Sequence, residues 1–162
     1  MAGKGTELQR TLLNYIFCTS ATSAAGGAAS GPGGAATSTT TLLYVSLHTA
    51  DPGNAGTQAT NEVAYTGYTR IATQRTASAG VGGWTISAAF SPCSVYPTTG
   101  VTFPQCTTAS TLIITNWAVG TASSAATQGT TFLYYCGTVT PNISLGANVT
   151  PSLTTGSACT ED

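Results

Sequence analysis

The sequence predicts an all-β fold, an antiparallel β-sandwich of about eight short strands preceded by one short α-helix. Three observations support this prediction. Short segments in which apolar and polar residues alternate recur after residue 42, and segments rich in Gly, Pro, Asn and Ser separate them. Thr and Val, which suit the pleated surface of a sheet, are abundant in those segments. A chain of 162 residues is also long enough to form one domain with a substantial core.

The helix is predicted at residues 4–18. Thr6 and Gln9 have the spacing of a capping box, in which each side chain satisfies a backbone donor of the first helical turn. The apolar residues then form one stripe at helical spacing: Leu8, Leu12, Leu13, Ile16 and Phe17. No basic face opposes this stripe, so we expect it to pack on the core of the domain or on a second copy of the chain.

Composition divides the chain into three parts. Residues 1–20 form the helix and an N-terminal arm. Residues 21–41 are almost wholly Ala, Gly, Ser and Thr, which cannot bury enough apolar area to offset the entropy cost of ordering. We therefore predict a flexible linker or surface loop there. Residues 42–162 form the predicted β-sandwich domain.

The strands are predicted from period-two alternation. In residues 43–48, the apolar Leu43, Val45 and Leu47 alternate with more polar neighbours, so that one face of the strand should point inward. The Pro-Asn pair at residues 141–142 is typical of a turn between two strands. The other predicted strands are residues 68–75, 84–90, 101–103, 111–119, 131–139, 142–149 and 157–160.

Charged residues are rare. Four basic and five acidic residues make up 6% of the chain, against about 25% in a typical soluble domain, and none of them lies in residues 76–160. Since charge keeps copies of a protein apart, we expect this protein to associate with itself, as a dimer or trimer, or to be fixed to a large assembly.

Two classes of partner are not expected. Neutralising the phosphates of a nucleic acid needs clustered Lys and Arg, which this chain lacks. The apolar residues 12–18 are too few to span a bilayer and lack the features of a secretory signal. We therefore expect no nucleic acid and no membrane as a partner, and synthesis in a cytoplasm.

No metal site or cofactor is predicted. The chain has one histidine and no C-x-x-C pair, and Gly80–Gly83 lacks the Lys and the following helix of a P-loop. We expect the cysteines to be small buried hydrophobic residues, with Cys93 and Cys106 as the candidate pair should a disulfide form in an oxidising medium. The five cysteines are Cys18, Cys93, Cys106, Cys136 and Cys159.

Residues 44–70 contain that histidine, His48, between Ser46 and Asp51, which at first looks like a hydrolase site. Two residues apart on one strand, Ser46 and His48 should lie about 7 Å apart, farther than a nucleophile and its base. Asp51 precedes Pro52, the ordinary sequence of a β-turn. The sequence therefore predicts no catalytic site, and it assigns His48 and Asp51 to bracing the turn.

The scarce charges cluster in the same stretch. Asp51, Glu62 and Arg70 fall within it, and Arg75 follows closely. Asp51 and Glu62 share one loop region, which does not suit the carboxylate pair of a glycosidase. The clustering indicates either internal ion pairs that hold a long loop or a polar contact with a partner, and we favour the internal role.

Residues 43–72, LYVSLHTADPGNAGTQATNEVAYTGYTRIA, resemble a family of small structural proteins of tailed bacteriophages. Members carry L-Y-V-x-L-H-T-A-D-P, then G-T-x-x-T-N-E-V, then Y-x-G-Y-x-R. The similarity extends to GKGTELQRTLLNYIF, WAVGTA, LYYCGTVTPNISLGANVTP and LTTGSACTED, and so spans most of the chain.

The resemblance implies a non-enzymatic protein of the virion, made in a bacterial host. Members are commonly labelled tail fibre proteins, but in some short-tailed phages a similar protein serves as a capsid cement or decoration protein with a jelly-roll sandwich. Fibres usually show long repeats or heptads, which this sequence lacks. We therefore expect a jelly-roll-like cement protein bound to the major capsid protein on the outer shell, with a tail-fibre or receptor-binding module as the alternative. The candidates for fixing the loop or contacting the capsid are His48, Asp51, Glu62, Arg70 and Arg75.

Overall fold

The structure, a computed structural model, describes residues 5–18, 42–75, 83–87, 93–123 and 132–161. Within them, one helix precedes nine strands that form three sheets. The predicted fold class, an all-β antiparallel sandwich preceded by one short helix, is confirmed. The predicted linker at 21–41 lies outside the described residues. The elements are α1 (Thr6–Phe17), β1 (Leu42–His48), β2 (Ile71–Gln74), β3 (Trp84–Ile86), β4 (Cys93–Pro97), β5 (Val101–Thr102), β6 (Ile113–Gly120), β7 (Leu133–Ser144), β8 (Ser152–Leu153) and β9 (Cys159–Glu161).

The chain folds into two compact units. The first contains α1 and an antiparallel three-stranded sheet of order β3–β4–β9. Helix α1 contacts all three of these strands. The ring of Phe17 meets that of Trp84 edge-on, with centroids 4.6 Å apart, and both side chains are fully buried. Edge-to-face packing is a favourable geometry for aromatic pairs, and it anchors the helix on the sheet.

The apolar stripe of α1 is only partly covered. Leu13 and Phe17 are fully buried, whereas Leu12 and Ile16 are partly exposed and Leu8 is 50% exposed. The inner edge of the stripe therefore packs on the core of the first unit, and its other edge faces outward.

The start of α1 differs from the prediction. The N-cap is Gly5, which has no side chain to accept a hydrogen bond, and Thr6 is already the first helical residue. The predicted capping box of Thr6 and Gln9 is therefore wrong, because that motif needs its Ser or Thr one position before the helix.

Arg75 binds the C-terminal end of α1. Its Nε donates to the carbonyl oxygen of Ile16 at 2.7 Å, and its Nη2 donates to that of Tyr15. The last carbonyls of a helix have no partner within the helix, so this buried guanidinium satisfies acceptors that the fold would otherwise leave open.

The second unit contains a four-stranded sheet of order β2–β1–β6–β7 and the antiparallel ribbon β5–β8. Strands β1 and β6 are antiparallel, with Val45 opposite Val119 and His48 opposite Asn116. As predicted from the alternation in β1, the side chains of Leu43, Val45 and Leu47 are buried. They form one apolar face of this sheet.

Strand β7 was predicted as two strands separated by a turn at residues 141–142. The structure has one strand of 12 residues that runs through this pair. The register with β6 shifts there, since Asn116 faces Thr138 but Ile114 faces Ile143. The extra residues form an irregularity of the β-bulge type, and a bulge on the edge strand tolerates a proline that donates no hydrogen bond.

Strand β4 was missed by the prediction. Its sequence CSVYP is short, lies close to two prolines and carries a single β-branched residue, Val95. The strand is nevertheless the centre of its sheet, paired on one side with β3 and on the other with β9. Its pairing partners come from distant parts of the chain, which a local pattern does not reveal.

The cysteines follow the prediction in part. Cys106 is a buried free thiol whose Sγ donates to the carbonyl oxygen of Thr108 at 3.1 Å, so the suggested disulfide with Cys93 is not formed. Cys136 is exposed, contrary to the expectation of burial, because it lies on the outward side of the edge strand β7.

Candidate functional site

The second half of β1 is buried on both faces, which the sequence did not predict. Ser46 and His48 are as fully buried as their apolar neighbour Leu47. Residues 49–70, here called the covering loop, fold back over the face that carries Ser46 and His48. The backbone N–H of Val63 donates to the carbonyl oxygen of Leu47 at 2.9 Å, and Glu62 forms a β-bridge with His48. The loop thus adds a short pairing segment to β1.

His48 connects the strand to the loop. Its Nε2 lies 2.9 Å from Ser46 Oγ, and its Nδ1 lies 2.9 Å from the carbonyl oxygen of Thr60. A carbonyl oxygen only accepts, so Nδ1 carries the proton and Ser46 donates its hydroxyl proton to Nε2. The expected separation of about 7 Å is therefore wrong for the reacting atoms: it describes the backbone spacing, whereas the two side chains lean toward each other.

The Ser46–His48 pair has the hydrogen bond of a nucleophile and its base, but it lacks access. Both side chains are fully buried, and a backbone carbonyl stands where a catalytic triad places a carboxylate. Burial lowers the pKa of His48, which keeps the imidazole neutral at pH 7. The arrangement holds the loop on the sheet, and His48 makes this contact with the backbone carbonyl of Thr60.

Gln58 is the residue that sequence reasoning missed. It is fully buried, and its Nε2 donates to the carbonyl oxygen of Tyr44 at 2.7 Å while its Oε1 accepts from the N–H of Ala122 at 3.0 Å. Gly120 leaves room for this amide, since a Cβ there would lie 2.5 Å from Gln58 Oε1. A neutral Gln in a polar loop carries no pattern that distinguishes it from its exposed neighbours.

Glu62 and Arg70 form a buried ion pair. Arg70 Nε donates to Glu62 Oε1 and Arg70 Nη2 to Glu62 Oε2, both at 2.7 Å, and the side chains are 1% and 9% exposed for Arg70 and Glu62 respectively. Arg70 Nη1 also donates to the carbonyl oxygen of Ala122 at 2.9 Å. The two-point geometry and the additional acceptor offset the cost of removing both charges from water.

Tyr68 extends this pair to β1. Its hydroxyl donates to Glu62 Oε1 at 2.9 Å and accepts from the N–H of Leu47 at 3.1 Å. Burial, together with the nearby Glu62 carboxylate, raises the pKa of Tyr68 well above its ordinary value, so the hydroxyl remains a donor. The ion pair is therefore fixed to the same strand as the His48 contact.

Asp51 lies on the outer surface of the loop. Its Oδ1 accepts from the N–H of Gly53 at 2.8 Å, and its carbonyl oxygen accepts from Asn61 Nδ2 at 3.1 Å. Gly53 has φ +71°, a conformation that favours glycine. Asp51 and Gly53 thus form an Asx-turn at the exposed start of the loop, in which the Asp51 side chain accepts the hydrogen bond.

The five sequence candidates separate into three groups. His48, Glu62 and Arg70 meet beneath the covering loop, Asp51 lies on its exterior, and Arg75 binds the end of α1. Within the described residues, no buried side-chain nitrogen or oxygen lacks a hydrogen-bond partner, and no cluster of His, Cys, Asp and Glu could hold a metal ion. None of the described helices is long and apolar enough to cross a membrane.

A family model described as Podophage GP4 fiber I protein gp80 matches residues 8–158 of the chain. The match includes most of α1, the strands β1 to β8 and the whole covering loop. A search of curated proteins found no match.

Proposed function

The chain belongs to the family described as Podophage GP4 fiber I protein gp80. We propose that it is a non-enzymatic structural protein of the phage virion that binds the outer capsid shell as a cement or decoration protein. Membership supports the coarser part of the proposal, a virion structural role. The capsid location rests on the surface of the second unit.

That surface is almost uncharged. Asp51 is the one exposed charged side chain among the described residues of the second unit, because Arg70 is buried and Glu62 nearly so. Charged residues are depleted where protein interfaces are fully buried, and a protein that stays free in solution relies on charge to remain apart from its copies. An uncharged face suits permanent cover by a neighbouring protein, as in a shell of many contacting subunits.

Strand β7 supports association of copies or docking on the capsid protein. It contains no charged residue over its 12 positions, and no described strand pairs with its outer edge. Phe132, just before the strand, is 67% exposed and Tyr134 is 41% exposed. A long neutral edge with aromatic side chains is a template for pairing with another chain. We extend the proposal to a dimer or trimer. Its copies contact one another and the major capsid protein through this surface.

The burial of the Ser46–His48 pair supports the non-enzymatic part of the proposal. Ser46 and His48 are hydrogen-bonded as in hydrolases, but the covering loop buries both, so a substrate has no route to Ser46 Oγ while the loop is in place. The hydrogen bonds of Ser46 and His48 instead help to attach the covering loop to β1.

A tail fibre or receptor-binding module is the second candidate, and the description of the family, which names a fibre protein, favours it. A fibre needs an elongated, repeated architecture, and neither heptads nor long repeats occur in this sequence. The cement proposal explains the neutral surface more directly.

Copy number tests the proposal. We expect quantitative mass spectrometry of purified particles to give a copy number comparable to that of the major capsid protein, and a cryo-electron microscopy difference map between parent and deletion particles to show density on the shell. A few copies per particle with density at the tail would overturn the capsid location in favour of the fibre.

A further inference from the structure

His48 is buried with both ring nitrogens occupied. Thr60 receives the Nδ1 proton and Ser46 donates to Nε2. Ser46 Oγ also lies 3.4 Å from Gln58 Nε2, a donor, and 3.5 Å from the carbonyl oxygen of Ala118, an acceptor. The two 2.9 Å contacts of the imidazole, with Ser46 and with Thr60, therefore suit the neutral ring with its proton on Nδ1.

The charged groups near His48 come from the covering loop. Glu62 and Asp51 favour a positive charge on the imidazole, and Arg70 opposes it. The Glu62 carboxylate is already bound to Arg70, and Asp51 Oδ1 accepts from the N–H of Gly53 and from Sγ of Cys136 on β7. Across the sheet, β6 presents the uncharged Asn116. No unpaired carboxylate among these groups is placed to neutralise an imidazolium.

A second proton on the ring disrupts the arrangement. Protonated Nε2 becomes a donor, so Ser46 must turn its hydroxyl proton away, toward the carbonyl oxygen of Ala118, which lies at the limit of hydrogen-bond distance. The imidazolium would also remain in a site closed to water. Hydrating the charge requires the loop to move off the strand, because Thr60 and Gln58 both belong to the loop and cover the ring side of β1.

We propose that the Ser46–His48–Thr60 chain is a pH-sensitive switch, which strengthens the attachment of residues 49–70 to the sheet at neutral pH and weakens it when His48 gains a proton. This inference rests on the buried hydrogen bonds and is independent of the virion location proposed above. Its consequence for the protein is that an acidic environment exposes the underside of the loop and the Ser46 face of β1.

The direction of the pH dependence follows from proton linkage. Burial lowers the pKa of His48 in the closed form below the ordinary value of 6.5 that it regains when the loop opens. Between those two pKa values the open form binds more protons, so the closed form loses stability as pH falls through about 6.5 and is fully stabilised above it.

The chain has a single histidine, which makes the test direct. In the ¹⁵N-labelled full chain, we expect NMR to show the Nδ1–H tautomer at neutral pH and a His48 pKa below 6.5. Hydrogen exchange should show that the protection factors of the Thr49 and Val63 amides, which pair with Asn61 and Leu47, fall by up to about tenfold per pH unit in the same range, the limit for one proton.

Two variants separate the contribution of His48 from that of Asp51. His48→Gln cannot gain a proton and should abolish the pH dependence of the loop amides. Asp51→Asn keeps an acceptor for the turn and should leave the dependence unchanged. The proposal fails if the parent shows the Nε2–H tautomer, if its His48 titrates at or above 6.5 with no change in loop protection, or if Asp51→Asn removes the dependence. Because the first two readouts use the parent protein, poor folding of His48→Gln leaves the test intact.

Discussion

The two faces of β1 are buried by different means. Leu43, Val45 and Leu47 lie on the apolar face, whereas Ser46 and His48 lie on the opposite face, where the contacts with the covering loop are mostly hydrogen bonds. Apolar burial is non-directional, but a buried polar group loses free energy unless its specific partner is present. Substitutions on the apolar face should therefore weaken the whole second unit, and those on the polar face should first free the loop.

Removal of Arg70 should have the largest effect on the polar face. Arg70→Met leaves the buried Glu62 carboxylate without its cation, and we expect the free energy of unfolding to fall by about 3–5 kcal/mol in chemical denaturation. The double variant Glu62→Gln/Arg70→Met removes both charges and should recover much of that loss. If Arg70→Met lowers the free energy of unfolding by less than about 1 kcal/mol, the ion pair behaves as an exposed one. The polar face would then tolerate the loss of a partner better than proposed.

Leu47→Ala tests the apolar face. Truncating this fully buried side chain leaves a cavity, and we expect a loss of about 3 kcal/mol. Hydrogen exchange should report lower protection throughout β1 and β6. Loss of protection confined to residues 49–70 would contradict the distinction between the two faces, since it would make the apolar side a part of the loop's attachment.

Gln58→Leu should have a smaller and more local effect. The substitution leaves the N–H of Ala122 and the carbonyl oxygen of Tyr44 without their buried partner, which should cost about 2 kcal/mol. The loop amides should exchange faster while β6 stays protected. Gln105→Leu is the matched control, because Gln105 is exposed and its loss should change stability by no more than about 0.5 kcal/mol. Equal effects of the two variants would argue against a special role for Gln58.

Asp51→Ala should have the smallest effect on stability. It removes an exposed acceptor for Gly53 and should cost at most about 1 kcal/mol, with faster exchange of amides at the start of the loop. We also expect weaker binding to capsids that lack this protein, and Asp51→Asn should preserve both properties. Unchanged capsid affinity and unchanged loop exchange would show that Asp51 neither holds the loop nor lies at the contact.

The sequence predicted the parts of the fold that depend on local pattern. The alternation of Leu43, Val45 and Leu47 indicated a strand and its buried face, and the scarcity of charge drew attention to Glu62 and Arg70, which the structure joins. The first signal comes from residues that are close together in the sequence. The second comes from a residue type so rare in this chain that its clustering is informative.

The sequence did not predict the burial of the polar face, because that depends on distant contacts. Gln58 binds Ala122 across 64 positions of the chain, and Arg75 binds Ile16 across 59. The backbone spacing also gave too long a distance between Ser46 and His48. The rotamers that bring these two side chains together depend on the covering loop, which backbone spacing does not describe. Partners of this kind are chosen by the assembled fold and leave no local period.

The chain has two tryptophans, and each unit contains one of them. Trp84 lies in the first unit and Trp117 in the second, and both are buried, with the indole nitrogen of Trp117 only 3.1 Å from the position of a Cβ built on Gly137. Replacing either by Phe leaves a single tryptophan, whose emission, excited selectively over that of the tyrosines, shifts to the red when its own unit takes up water. The protein therefore carries an intrinsic optical reporter for each unit, and a pair of single-tryptophan variants can show whether the two unfold together or in sequence.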